Sequence, residues 1–146
     1  MMASSTFRYE RRVEFSDTDL GGIVHFSRFF VFMEAAEHAF LRSLGTSVHL
    51  HIDGHRAGWP RLSTQCDFRS PARFEDVLTI DLKVLRKGRT SLTYGFDFHV
   101  GERLVAQGKI SAACCLLDLP EGIKAVPIPQ EIADRIEEVE HERSGT

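Results

Sequence analysis

The stretch Val13-Glu14-Phe15-Ser16-Asp17-Thr18-Asp19-Leu20-Gly21-Gly22-Ile23-Val24-His25-Phe26-Ser27-Arg28-Phe29, continuing through an apolar run to Gly45, decides the fold. A strand ends in it, two carboxylates and a glycine pair make a turn, and a long helix begins. Between Ser27 and Leu44, the residues Phe29, Met33, Ala36, Phe40 and Leu44 fall four, three, four and four apart. At about 100° per residue they form one stripe, which Phe32 and Ala39 widen. Gly45 stands where a helix ends on a left-handed residue, and Ser27 is the expected N-cap. So broad an apolar face suits a helix that a sheet wraps. Glu34, Glu37 and His38 are read as lying off the stripe, in solvent or at a subunit contact.

The turn carries the chemistry. Asp17 and Asp19 are two apart, so on extended backbone both point the same way. Charges that close repel, and one of the pair is expected to titrate high. Gly21-Gly22 lets the chain turn tightly and lets a ligand approach it. The first amides of the helix lack intrahelical partners and carry the positive end of its dipole. A carboxylate, a glycine turn and free N–H donors together can polarise a carbonyl and attack it. The plainer alternative is an Asx-type turn with solvated acids.

The run Phe15-Ser-Asp-Thr-Asp-Leu-Gly-Gly-Ile-Val-His-Phe-Ser-Arg-Phe29 resembles the signature of the hydroxybenzoyl-CoA thioesterase branch of the hotdog-fold superfamily. A second block, Asp67-Phe-Arg-Ser-Pro-Ala-Arg-Phe-Glu-Asp-Val-Leu-Thr-Ile80, is similar to that family's second and third strands with their connection. The resemblance covers roughly residues 7 to 118 and implies an α+β hotdog fold: an antiparallel sheet of about five strands around one central helix. It implies an acyl-CoA thioesterase in which Asp19 is nucleophile or general base and the backbone amide of Phe26 holds the thioester oxygen. Gly22, His25, Gly58, Trp59 and Pro60 would then line the substrate site, with no cofactor, since coenzyme A belongs to the substrate. Leu20 stands where relatives carry a small residue or proline, and His25 where they carry tyrosine or tryptophan; both departures bear on acyl specificity. The resemblance also implies a homodimer or homotetramer with sites at the subunit interface.

Composition agrees with a single globular domain over residues 1–146, with a core of about 7–128 and loose tails at 1–6 and 140–146. The chain is 42% hydrophobic and 27% charged, within the globular range. A net charge of −3 gives no electrostatic footprint for nucleic acid. No apolar run reaches the ~20 residues of a membrane span, and the first residues lack the apolar core of a signal peptide. Cys66, Cys114 and Cys115 are an odd set with two adjacent, which points to packing thiols in a reducing, cytoplasmic compartment.

Along the chain, Phe7–Phe15 alternates, with Phe7, Tyr9, Val13 and Phe15 on one face and Arg11 the exception there. Residues 46–61 read as a loop whose His49, His51, Asp53 and His55 lack the second cluster that a metal site wants. Strands follow at 62–69, 77–85, 90–100 and 104–117, joined by hairpin-like turns. An edge segment at 124–128 and a short helix from Pro129 to about Val139 complete the chain. Coenzyme A phosphates call for basic side chains; Arg86, Lys87 and Arg89 cluster at one hairpin, with Arg69 and Arg73 as second candidates. Two rival readings stand beside the thioesterase. One is a hotdog hydratase or dehydratase on acyl thioesters using His25 with Glu37 across the dimer; the other is a non-catalytic acyl-CoA-binding domain.

Overall fold

The computed structural model describes residues 3–140. A five-stranded antiparallel sheet in the order β1-β5-β6-β7-β4 is built from β1 (Thr6–Arg12), β4 (Arg61–Phe68), β5 (Val77–Lys87), β6 (Ser91–Val100) and β7 (Arg103–Ala113). Its inner face is a grid of apolar side chains. Leu78, Ile80, Leu82 and Val84 come from β5, Leu92, Tyr94, Phe96 and Phe98 from β6, and Ala106, Ile110 and Ala112 from β7, all buried. Period-2 alternation places them there, with polar residues between them on the outer face.

Helix α1 (Phe26–Ser43) lies across this grid and buries Phe29, Phe32, Met33, Ala36, Phe40 and Leu41. Gly108 on β7 has no side chain where Met33 lies against the strand. Gly45 adopts a φ of 81°, and its N–H donates to the Arg42 carbonyl, ending the helix as expected.

Five readings need correction. Strand β1 ends at Arg12, and a single 3-10 turn, Phe15–Asp17, throws Phe15 outward to 78% exposure. Arg11 stays on the Phe7 and Tyr9 face, as the alternation places it, with its guanidinium 5.2 Å from the centre of the Phe32 ring. Residues 46–61 are not all loop: β2 (Leu50–Ile52) and β3 (His55–Gly58) form a hairpin over Asp53-Gly54, both at positive φ. The long strand expected at 104–117 breaks at Cys114, whose N–H donates to Thr90 and whose carbonyl accepts from Val126. Beyond that break β8 (Cys115–Leu119) joins a four-stranded sheet, β2-β3-β8-β9, with β9 at Gly122–Ala125 in place of the edge segment expected at 124–128. Finally, the C-terminal helix is only one turn, α2 (Gln130–Ala133). The chain beyond it docks: Ile132 and Ile136 are buried in the core, Ser4 bridges to Ile136, and the Val139 N–H donates to Val84. The core therefore extends past 128, and the N-terminal tail is tied down from Ser4.

Glu37 is also not in solvent. It is fully buried, and Arg61 grips it with two hydrogen bonds, Nη1 to Oε2 at 2.8 Å and Nη2 to Oε1 at 2.7 Å. Arg61 Nη2 also donates to the half-exposed Glu34 at 3.0 Å. A buried bidentate pair holds itself together but leaves a large penalty if one member is lost. Replacing Arg61 with methionine should lower the unfolding free energy in urea by about 3–5 kcal/mol, and adding Glu37→Leu should restore most of it. A neutral Arg61→Met would contradict the pairing.

Candidate active site

The turn between β1 and α1 is held by one buried carboxylate. Asp17 is fully buried. It accepts the Glu14 N–H at 2.8 Å, Arg28 Nε at 2.9 Å and Arg28 Nη2 at 2.8 Å, and lies 3.5 Å from Arg11 Nη2. Its backbone carbonyl accepts the His25 N–H at 2.8 Å. Burial pushes its carboxyl pKa up, but the Glu14 amide and the Arg28 and Arg11 guanidiniums outweigh burial and hold it below the usual carboxylate range. The expected high-titrating member of the acid pair is thus not Asp17. Nor is Asp17 a solvated turn acid: it clips the end of β1 to the first turn of α1.

Within that clip, residues 18–24 fold into a tight loop. Thr18 bridges to Val24, the Asp19 N–H donates to the Ile23 carbonyl, and the Gly22 N–H donates back to the Asp19 carbonyl. Gly22 has a φ of 79°, which the turn requires, and a Cβ there would meet nothing within 4 Å. Ile23 and Val24 anchor the loop to Arg73 and Ala72. The Asp19 carboxylate is exposed; its Oδ1 accepts the Gly21 N–H at 2.8 Å, and no described residue bonds its Oδ2.

The helix start differs from expectation at its cap. His25, not Ser27, is the N-cap: its Nδ1 accepts the Ser27 N–H at 3.2 Å and lies 2.8 Å from Ser27 Oγ. Accepting at Nδ1 puts the proton of a neutral imidazole on Nε2. The Arg28 N–H is taken by the His25 carbonyl. Among the first-turn amides the Phe26 N–H is left without a partner among the described residues, at the positive end of an 18-residue helix.

Beside these groups lies a cavity of about 450 Å³ lined by Asp19, Ile23, Val24, Phe26, Phe29, Phe68 and the segment Arg69–Ala72. Phe29 forms its aromatic floor, with Phe68 and Phe98 each 5.3 Å from it in edge-to-face contact. Asp19 and Phe26 therefore line one cavity, with Gly22 tied to the Asp19 carbonyl and His25 adjacent as the cap. Gly58, Trp59 and Pro60 lie elsewhere. Gly58 pairs with Cys115, Trp59 is buried in the core, and the Pro60 carbonyl accepts the Ala113 N–H. None of the three lines a cavity containing Asp19 in this chain. Arg86, Lys87 and Arg89 sit at the opposite end of β5, roughly 30 Å from Val77 at ~3.3 Å per residue. The Lys87 amine is committed to the Ala133 and Ile136 carbonyls, so it fastens the C-terminal segment. Of the basic candidates only Arg69 lines the cavity, and Arg73 flanks it.

Sequence reasoning missed Phe68 as a wall and assigned Phe29 to the core stripe alone. Glu37, the acid of the rival pair with His25, is buried and held by Arg61. Burial raises the thiols of Cys66 and Cys114 to about 11, so neither supplies a thiolate at neutral pH. Among the described residues no three His, Cys, Asp or Glu side chains are grouped to hold a metal, and no helix is long and apolar enough to cross a membrane.

Comparison with known proteins shows the family and the fold. The thioesterase superfamily profile matches residues 21–111, starting two residues past Asp19. A putative esterase of Aquifex aeolicus is 32% identical over 129 residues, covering 88% of this chain and 95% of that protein. A 1,4-dihydroxy-2-naphthoyl-CoA hydrolase of Synechocystis is 29% identical over 138 residues, 93% of this chain and 98% of that protein. The crystal structure of a 1,4-dihydroxy-2-naphthoyl-CoA thioesterase from Synechocystis superposes with a TM-score of 0.80 at 28% identity, covering 90% of this chain and 95% of that one. The fold is the hotdog fold, and the relatives' names make the chain a thioester hydrolase. The chain belongs to the thioesterase superfamily.

The Asp17 clip has a pH signature. Its folded pKa lies below the unfolded value of about 3.9, so its contribution is present above that pH and is lost as pH falls through the folded pKa. Thermal stability should therefore decline below about pH 4. The Asp17→Asn variant should lose about 3–5 kcal/mol at neutral pH and show a shallower acid limb. Calorimetry across pH on both proteins checks this, and parallel acid limbs would contradict it.

Proposed function

We propose that the protein hydrolyses acyl-CoA thioesters, with an aryl-bearing acyl group preferred. The observation that carries the reading is that Asp19, whose Oδ2 has no partner among the described residues, and Phe26, whose N–H has none, line the same largely apolar cavity. The thioester oxygen accepts the Phe26 amide, which stabilises the developing oxyanion; one such donor is worth about 3–4 kcal/mol elsewhere. Asp19 either takes a proton from the attacking water or adds to the carbonyl carbon itself, giving an anhydride that water then opens. By either route the carbon–sulfur bond breaks, the electron pair leaves on sulfur, and the thiolate is protonated, giving free acid and coenzyme A. No cofactor is needed.

The aryl preference rests on the cavity wall, where Phe26, Phe29 and Phe68 surround the space, with Arg69 at its edge for a polar ring substituent. The naphthoyl substrate in the names of the Synechocystis relatives points the same way. A homodimer is supported by β4, an eight-residue edge strand exposed along nearly all its length, with Leu62 and Phe68 bare. Such an edge invites pairing with a second copy. Three free cysteines suit a reducing cytoplasm.

Release of free thiol from a panel of aryl, short-chain and long-chain acyl-CoAs, followed with a thiol-trapping dye, tests the reading. Asp19→Asn should lower turnover by at least ~10²–10⁴-fold while binding persists. Unchanged turnover would remove Asp19 from the reaction. Absence of any thiol release would favour a binding domain.

A further inference from the structure

The Phe26 N–H owes its direction to the peptide unit it shares with the His25 carbonyl. A trans peptide sets N–H and C=O on opposite sides of one plane, and the described peptide bonds are all trans. The His25 carbonyl accepts the Arg28 N–H at 2.9 Å, so it points into the first turn of α1. The Phe26 N–H therefore points out of the helix, away from that turn. From the His25 side, that plane turns only with ψ of His25, which is 137°. Whatever holds His25 thus holds the donor.

Three ties hold it. Its N–H donates to the Asp17 carbonyl at 2.8 Å, and its carbonyl takes the Arg28 amide. Its ring Nδ1 accepts the Ser27 N–H at 3.2 Å and lies 2.8 Å from Ser27 Oγ. The ring also lies beside the Phe26 ring, centroids 4.6 Å apart at 30°. The first two ties are backbone bonds that almost any residue can make. The third needs a lone pair at Nδ1, and an imidazolium has none. On protonation the Nδ1–H can donate only to Ser27 Oγ, and the Ser27 amide is let go. The helix tip then presents two unpartnered amides in place of one, and the ring no longer fixes ψ of His25.

Resting on the thioesterase reading above, we infer that His25 is a positioning residue: its neutral ring keeps the Phe26 amide aimed at the ester oxygen, and hydrolysis weakens when the ring protonates. The charged groups around the cap are Asp17, Arg28 and Arg11 in the β1–α1 turn and Asp19 in the loop. Arg69 and Arg73 stand in the segment to which Ile23 and Val24 are tied. Carboxylates and guanidiniums ordinarily keep one charge between pH 5 and 8, whereas imidazole changes charge there. Asparagine offers a side-chain oxygen for the same capping bond and does not titrate.

Thiol release from one aryl-CoA ester, followed from pH 5 to 8 for wild type, His25→Asn and His25→Ala, tests this. Wild-type kcat should fall roughly tenfold toward pH 5 with KM nearly constant, because the oxyanion forms only past the ground state. His25→Asn should keep most of the pH 8 kcat and lose that limb. His25→Ala should stay roughly tenfold below wild type at pH 8 and be equally flat. Melting curves at both ends of the range separate folding from aim: a merely structural cap moves Tm and leaves the kcat profile of the folded protein alone. If His25→Ala does not fold, the wild-type and asparagine profiles decide by themselves. The inference falls if His25→Asn keeps the wild-type limb, or if folded His25→Ala matches wild-type kcat; either result leaves the thioesterase reading standing. Absence of thiol release from wild type at every pH removes that reading and this inference with it.

Discussion

A single buried charge organises the working part of this molecule. Asp17 joins three pieces of chain that would otherwise meet loosely: Arg11 from the end of β1, the Glu14 amide in the turn, and Arg28 from the first turn of α1. Its carbonyl adds a fourth tie, to the His25 amide. The position of Asp19, two residues on, follows from that clip, and so does the aim of the Phe26 amide. In the proposed reaction, a donor and a carboxylate held on one element before the ester arrives would supply electrostatic preorganisation.

The cap serves the same end. A helix N-terminus offers several amides, and a ligand oxygen would have several orientations among them. Here His25 occupies the Ser27 amide through its ring and the Arg28 amide through its carbonyl. What remains is one donor with one direction. The capping histidine therefore narrows the geometry without having to touch the ester, and its residue type matters less for acid–base chemistry than for the lone pair at Nδ1.

Much of this was legible in the sequence, for physical reasons that also mark where legibility stopped. The stripe from Phe29 to Leu44 and the closing Gly45 follow from helical periodicity and the φ that glycine tolerates, and the structure has both. The pairing of 77–87 with 91–100 follows from period-2 alternation about a short turn. Asp53-Gly54 is a recognisable hairpin turn, yet its flanking histidines and short strands gave no hydrophobic alternation to accompany it. Glu37 lies four residues after Met33, on the buried face by period alone; its charge argued for solvent, and only the distant Arg61 reversed that. The Cys114 break could not be read locally, because it depends on Thr90 and Val126 approaching from other strands. Likewise the basic hairpin at 86–89 looked like a phosphate clamp until the C-terminal carbonyls claimed Lys87.

The two aspartates show why spacing alone could not assign roles. They were expected to share a side and a repulsion. Instead the 3-10 turn separates them: Asp17 goes inward to two guanidiniums, and Asp19 goes outward to one backbone amide and open space. Arg11 and Arg28 both face Asp17, and Arg11 also lies 3.7 Å from Glu14, so the buried charge is offset within the turn itself. The buried acid ties the turn together, and the exposed one keeps an oxygen with no partner among the described residues. A turn with only one acid could not supply both a buried tie and an exposed carboxylate.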